Sequence, residues 1–66
     1  MNRQHHQAIN NYNEVLRLDP FFVDAHNRRG SEYFKLGNIK KSIADFDNAI
    51  NLDPKHIKFY IFNKEI

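Results

Sequence analysis

Four histidines are the first side chains to consider for chemistry, because histidine serves both metal binding and proton transfer. His5 and His6 are adjacent, so on a helix their side chains point about 100° apart and cannot share one ion. The sequence contains neither a His-x3-His pair nor a His-Glu-x-x-His motif. It therefore predicts no metal site and no cofactor, and we expect His5 and His26 to be hydrogen-bonded structural side chains on helix packing stripes.

The carboxylates are not arranged for catalysis either. Asp45, Asp47 and Asp53 are spread along one segment, and no acidic residue stands in an apolar run that would suit acid–base chemistry. A glycine-rich phosphate loop and a nucleophile elbow are both missing. The sequence predicts that the protein is not an enzyme, and that Asp45 and Asp47 lie on a solvated helix face.

Basic and aromatic residues leave one alternative open, which is nucleic-acid (RNA) binding. Arg28-Arg29 and Lys40-Lys41 are basic doublets that could contact phosphates. The aromatic side chains that could stack on bases are Phe21, Phe22, Tyr60 and Phe62. Acidic residues interrupt any basic stripe, however, and a net charge of +2 is too small to indicate a polyanionic partner.

Length and composition limit the elements that must position these side chains. The chain has 66 residues, 41% of them hydrophobic, and no cysteine, so neither disulfides nor thiolate metal sites can stabilise it. A chain this short buries only about 60% of the surface that its unfolded form exposes. No apolar stretch approaches the roughly 18 residues of a membrane span, and the first residues lack the apolar core of a signal peptide. We expect a small intracellular, cytoplasmic helical chain with a thin core.

An internal repeat determines the predicted fold. Leu18-Asp19-Pro20 recurs as Leu52-Asp53-Pro54, an offset of 34 residues, and Ile9 pairs with Ile43 in the same phase. Each copy ends at Asp-Pro, where proline disfavours helical geometry in the residue before it. Gly37-Asn38 interrupts the pattern between the copies, as expected at a helix C-terminus.

Helical periodicity fills the segments between these breaks. Ile39, Ile43, Phe46 and Ile50 form one stripe of an amphipathic helix, with Ala49 beside it. The same spacing occurs in the earlier copy, around Ile9. The pattern predicts helices at 3–18, 23–36, 39–52 and 57–66, joined by turns at 19–22, 37–38 and 53–56.

The chain resembles the tetratricopeptide repeat (TPR) family, whose period is about 34 residues. Gly30, Tyr33, Phe46 and Pro54 match the family pattern, whereas His26, Arg29 and Ser42 depart from it. Gly30 has a physical reason, because a side chain there would hold the two helices of a hairpin apart. The resemblance implies an all-α fragment of a helical solenoid with about four helices.

In the phase of this family the chain contains one complete unit between two incomplete ones. Residues 1–22 would be the second helix and turn of a preceding unit, 23–56 a complete hairpin, and 57–66 the first helix of a following unit. The last segment is apolar on nearly all sides, which is typical of a buried helix. The chain is therefore expected to be a fragment of a longer array, to form a homodimer or larger oligomer through its end helices, or both.

The resemblance also implies a protein or peptide partner in a groove lined by first helices. The candidate groove residues are Asp24, Asn27, Arg28, Ser31, Lys35, Lys58, Ile61 and Phe62. Arg28 stands where some family members place the arginine of a clamp for two carboxylates. Asp24, one turn earlier, takes the place of the clamp's lysine and would repel a carboxylate. Phe21 and Phe22 would either fix the turn onto the next helix or, if exposed, contact a partner chain.

Overall fold

The computed structural model describes residues 2–54, which form three helices and no strand. Helix α1 spans Asn2–Leu18, α2 spans Val23–Lys35, and α3 spans Ile39–Leu52. These bounds agree to within a residue with the first three predicted helices, so the all-α fold is confirmed. The predicted fourth helix, 57–66, lies outside the described residues. None of the described helices is long and apolar enough to cross a membrane.

The turn between α1 and α2 shows how Asp-Pro ends a helix here. The Asp19 N–H donates to the Val15 carbonyl at 2.8 Å, and the Phe22 N–H donates back to the Asp19 carbonyl at 3.2 Å. The Asp19 carboxylate also accepts the Phe21 N–H at 3.2 Å, as in an Asx turn. At the same place in the next copy, the Asp53 N–H donates to the Ala49 carbonyl at 2.9 Å. The 34-residue sequence repeat is therefore a repeat of backbone hydrogen bonding too.

Gly37 and Asn38 form the turn between α2 and α3, as the sequence predicts. Gly37 has φ +82°, and its N–H donates to the Phe34 carbonyl at 3.0 Å, while the Asn38 N–H donates to Tyr33 at 2.8 Å. This pair of bonds is a Schellman motif, in which a residue with positive φ satisfies the last carbonyls of a helix. The Asn38 side chain then accepts the Lys41 N–H and caps α3.

Helix α2 packs between α1 and α3. Among the described residues, four apolar side chains are buried, and two of them are alanines: Ile9, Leu16, Ala25 and Ala49. Gly30 lies where α2 meets α3, and a Cβ built on it would come 3.0 Å from a ring carbon of Phe46. The expected role of Gly30 in close helix approach is therefore confirmed.

The buried face of α3 is not the apolar stripe that the sequence suggests. The residues that α3 buries are Ser42, Asp45 and Ala49. Ile39, Ile43 and Ile50, which we call the isoleucine stripe, are 46%, 55% and 41% exposed. Hydrophobic spacing finds the amphipathic helix but cannot tell which neighbour its apolar side will cover. A small, partly polar face packs on α2 because Gly30 brings the two backbones together.

The aromatic pair in the first turn is exposed rather than packed. Phe21 is 72% and Phe22 46% exposed. The structure thus does not support the reading in which both side chains fix the turn onto α2. His26 holds the turn instead, since its Nε2 donates to the Pro20 carbonyl at 2.8 Å.

Candidate functional site

Helix α2 has one side turned towards its neighbours and one turned away. Ala25, His26 and Gly30 are buried against α1 and α3. On the opposite side, residues at steps of four, three and four form a single stripe along the helix. The stripe consists of Asp24, Arg28, Ser31 and Lys35, and the half-buried Asn27 lies beside it. We call these five residues the outer face of α2.

The structure brings together the five groove candidates that it describes. Asp24, Arg28, Ser31 and Lys35 are exposed, and Asn27 is half-buried. The other three candidates, Lys58, Ile61 and Phe62, lie outside the described residues.

The outer face keeps its charges available to solvent. Lys35 is exposed, and its Nζ lies 3.9 Å from Oε1 of the half-buried Glu32, which is the long limit of an ion pair. Arg28 makes no hydrogen bond or ion pair with any described residue, so its guanidinium retains its donors for a ligand. A planar guanidinium of this kind can bind a carboxylate through two parallel hydrogen bonds.

Arg29, by contrast, is occupied inside the protein. Its Nε and Nη2 donate to the two carboxylate oxygens of Asp45 at 2.9 and 2.6 Å, and its Nη1 donates to Asn13 Oδ1 at 2.8 Å. The hydrogen bonds to Asp45 raise the pKa of Arg29, against the smaller lowering by burial. The basic doublet Arg28-Arg29 is therefore divided between one exposed cation and one structural cation.

Asp45 is also a correction to the sequence analysis. It was expected on a solvated helix face, yet it is only 2% exposed. An aspartate is buried at this position because Arg29, sixteen residues earlier, neutralises it across the helix interface.

Two histidines have the structural roles that their stripes predict. His26 is buried, donates to the Pro20 carbonyl, and places its Nδ1 3.6 Å from Asp45 Oδ1. His5 Nδ1 lies 2.5 Å from Glu32 Oε2 and so links α1 to α2. Among residues 2–54, no three histidine, aspartate or glutamate side chains cluster as metal ligands would.

A cleft that the sequence analysis missed lies over the packing side of α2, between α1 and α3. It has two adjoining parts of about 400 and 250 Å³, and Tyr33 and Lys41 line both. We call it the Tyr33 cleft. The first part is also lined by His6, Ile9, Leu36 and Asn38, and the second by Arg29, Ala44, Asp45 and Asn48. Its residues come from three helices, so no single sequence window contains the signal.

Comparison with known proteins agrees with this hairpin geometry. Residues 23–56 match the family model described as Tetratricopeptide repeat, and residues 4–37 match another described as TPR repeat. No solved structure matches the chain.

Several curated proteins are similar over most of the chain. A TPR repeat-containing protein of Rhizobium etli is 33% identical over 49 residues, which are 74% of this chain and 24% of that protein. Hsp70-Hsp90 organizing protein 3 of Arabidopsis thaliana is 33% identical over 54 residues, 82% of this chain and 10% of that protein. Tetratricopeptide repeat protein 14 of Mus musculus is 38% identical over 53 residues, 80% and 7% respectively. The chain thus spans a quarter or less of each relative, and by its repeat, its hairpin and these matches it belongs to the tetratricopeptide repeat family.

Proposed function

We propose that this chain is a protein-interaction module that binds a peptide or partner protein along the outer face of α2. One observation carries the proposal. The outer face presents a row of polar and charged side chains to solvent, while the other side of the same helix is anchored to α1 and α3. Lys58, Ile61 and Phe62 would extend the surface if the predicted fourth helix forms.

The anchoring matters for the energetics of binding. A helix fixed on both flanks loses little conformational freedom when a ligand docks, so more of the contact energy appears as affinity. Family membership supports a binding role, because TPR proteins are generally non-enzymatic interaction scaffolds. Relatives named for organizing Hsp70 and Hsp90 support a protein as the partner class.

The charges on the outer face suggest which groups of a partner it would recognise. Arg28 would take a carboxylate of the partner, and Asp24, one turn away, would disfavour a second carboxylate beside it. A partner that places one acidic side chain at Arg28 and a basic or amide group at Asp24 fits both. This pattern does not suit a clamp for two adjacent carboxylates.

A peptide array followed by solution binding tests the proposal. The 66-residue chain is used to select binders from peptides of varied charge, and fluorescence anisotropy then measures their affinity. Arg28→Glu should lower the affinity for the selected peptides about tenfold, which is the usual loss for a charge-assisted hydrogen bond. Lys40→Glu makes the same charge change on α3, away from the outer face, and should have little effect. Equal effects of the two variants would contradict binding at the outer face.

We also propose that the chain self-associates through apolar surface at its ends. The isoleucine stripe supports this, because Ile39, Ile43 and Ile50 are each more than two-fifths exposed on one side of α3. Exposed apolar patches of this kind mark contacts with other chains or elements. Exchange of end helices between copies follows from the predicted division into units 1–22, 23–56 and 57–66. Sedimentation at tens of micromolar should give a dimer or larger species, and a well-folded monomer would contradict self-association.

A further inference from the structure

The Tyr33 cleft is a second concave surface, on the side of α2 opposite the outer face. Tyr33 forms its middle, half-buried, with the Lys41 ammonium 5.5 Å from the ring centroid and the Arg29 guanidinium carbon 6.0 Å from it. The two parts of the cleft share Tyr33 and Lys41 as lining residues; the first part is also lined by α1, and the second lies between α2 and α3.

Some charged side chains of the cleft are paired with each other, and one is not. Asp45, the acidic residue among its lining side chains, is buried and holds both oxygens against Arg29. Lys41 is exposed and pairs with no carboxylate of the described residues; its ammonium lies over the Tyr33 ring instead. The cleft therefore offers one available positive charge beside an aromatic surface, and no available negative charge to match it.

We propose that the Tyr33 cleft binds an acidic segment of a partner protein, with an Asp or Glu carboxylate accepting hydrogen bonds from Lys41. The methylene stem of a glutamate would then lie on the Tyr33 ring. Asn38 and Asn48, one in each part of the cleft, supply amide groups for the peptide backbone. The partner is identified by charge complementarity, since an anionic group pairs with the one cation that the cleft leaves free.

An acidic peptide fits better than a nucleic acid for the same reason. Binding to a phosphate backbone depends on several cations along a track, each displacing counterions. Here Arg29 is neutralised by Asp45, so Lys41 is the one lysine or arginine of the cleft that remains available. Since the cleft and the outer face lie on opposite sides of α2, occupation of one does not require the other.

Nuclear magnetic resonance titration of the labelled 66-residue chain tests this site directly. The probe is a short peptide of alternating Glu and Ala, and its Gln-Ala counterpart is the neutral control. The acidic peptide should shift the backbone amide signals of Tyr33, Lys41 and Ala44, and the neutral peptide should shift them much less. Shifts confined to Asp24, Arg28 and Ser31 would overturn the proposal while supporting the outer face as the binding surface.

A matched pair of lysine variants makes the test specific. Lys41→Gln should weaken the acidic peptide about threefold to tenfold, as expected for a partly exposed charge pair. Lys40→Gln removes the same charge from the neighbouring position, outside the cleft, and should change affinity less than twofold by the same reasoning. Lys41→Glu should make the chain bind an alternating Lys-Ala peptide more tightly than the Glu-Ala peptide. Equal effects of Lys40→Gln and Lys41→Gln, or tighter binding of oligouridylate than of the acidic peptide at these residues, would overturn the proposal.

Discussion

Arg29 of α2 and Asp45 of α3 form a two-point ion pair, with Nε–Oδ2 and Nη2–Oδ1 distances of 2.9 and 2.6 Å. The same guanidinium donates to Asn13 of α1, so one side chain connects all three described helices. Asp45 is 2% exposed, and its charge therefore depends on Arg29 for compensation. Because residues 2–54 bury only four apolar side chains, this polar connection is a main determinant of how the three helices are arranged.

Replacement of Arg29 by Leu should destabilise the fold strongly. The change leaves the buried Asp45 carboxylate without its partner, at a cost of about 3–5 kcal/mol. The double variant Arg29→Leu/Asp45→Ala should be more stable than Arg29→Leu alone, because it also removes the uncompensated charge. Urea unfolding followed by circular dichroism measures both.

Glu14→Gln is the matched control for this pair. Glu14 accepts hydrogen bonds from Arg17, which lower its pKa, but both side chains are exposed on α1. Loss of an exposed ion pair should leave the unfolding midpoint unchanged. If Arg29→Leu and the double variant unfold at the same urea concentration, Asp45 does not depend on Arg29.

Gly30→Val should destabilise the α2–α3 contact through crowding. A Cβ at this position would lie 3.0 Å from Phe46 Cε1 and 3.2 Å from Asp45 Cβ, and the second of these atoms is fixed to the α3 backbone. We expect a loss of about 1–3 kcal/mol, as for overpacking in a tight core. Ser31→Val, on the exposed side of the same turn, is the control and should be nearly neutral. Valine is a better helix former than glycine, so helix propensity cannot explain a loss at Gly30, and a Gly30→Val variant as stable as Ser31→Val would contradict the crowding.

Gly37→Ala should also destabilise, but for a purely conformational reason. Gly37 has φ +82° and no heavy atom within 4 Å of a built Cβ, so the added methyl group meets open space. The cost is that of holding a side-chain-bearing residue in the left-handed region, about 1 kcal/mol. Gly37→Asn should cost less, because asparagine tolerates this region better. Thermal unfolding of the three proteins should give the order Gly37, Asn, Ala, and a more stable alanine variant would contradict it.

Local signals made the helices predictable from the sequence. Asp19-Pro20 and Gly37-Asn38 end their helices through backbone geometry that depends on adjacent residues only, and the structure has those turns. The 34-residue offset is found both in the sequence and in the backbone hydrogen bonds that Asp19 and Asp53 make. The residues of the outer face of α2 were expected from the family resemblance, and helical spacing alone does not say which side of α2 lines a groove.

Pairings between helices were not predictable in the same way. The sequence predicts a solvated Asp45, because the pairing with Arg29 depends on how α2 and α3 pack. It also predicts that Ile43 packs, whereas the close approach at Gly30 brings another face of α3 against α2. The Tyr33 cleft is the extreme case, because Tyr33 and Lys41 become neighbours only when α2 and α3 are folded together. Periodicity describes each helix alone, whereas these features belong to the contacts between helices.

Ile9 and Ile43 occupy equivalent positions in the two copies of the repeat, yet their substitution should have different consequences. Ile9 is 6% exposed between α1 and α2, so Ile9→Ala should cost about 2–4 kcal/mol of folding stability. Ile43 is 55% exposed, so Ile43→Ala should cost the isolated chain less than about 1 kcal/mol. If the isoleucine stripe is the surface of self-association, Ile43→Ala should instead weaken the oligomer. Urea unfolding at low concentration and sedimentation at high concentration separate the two effects, and an Ile43→Ala variant with unchanged sedimentation would remove Ile43 from the interface.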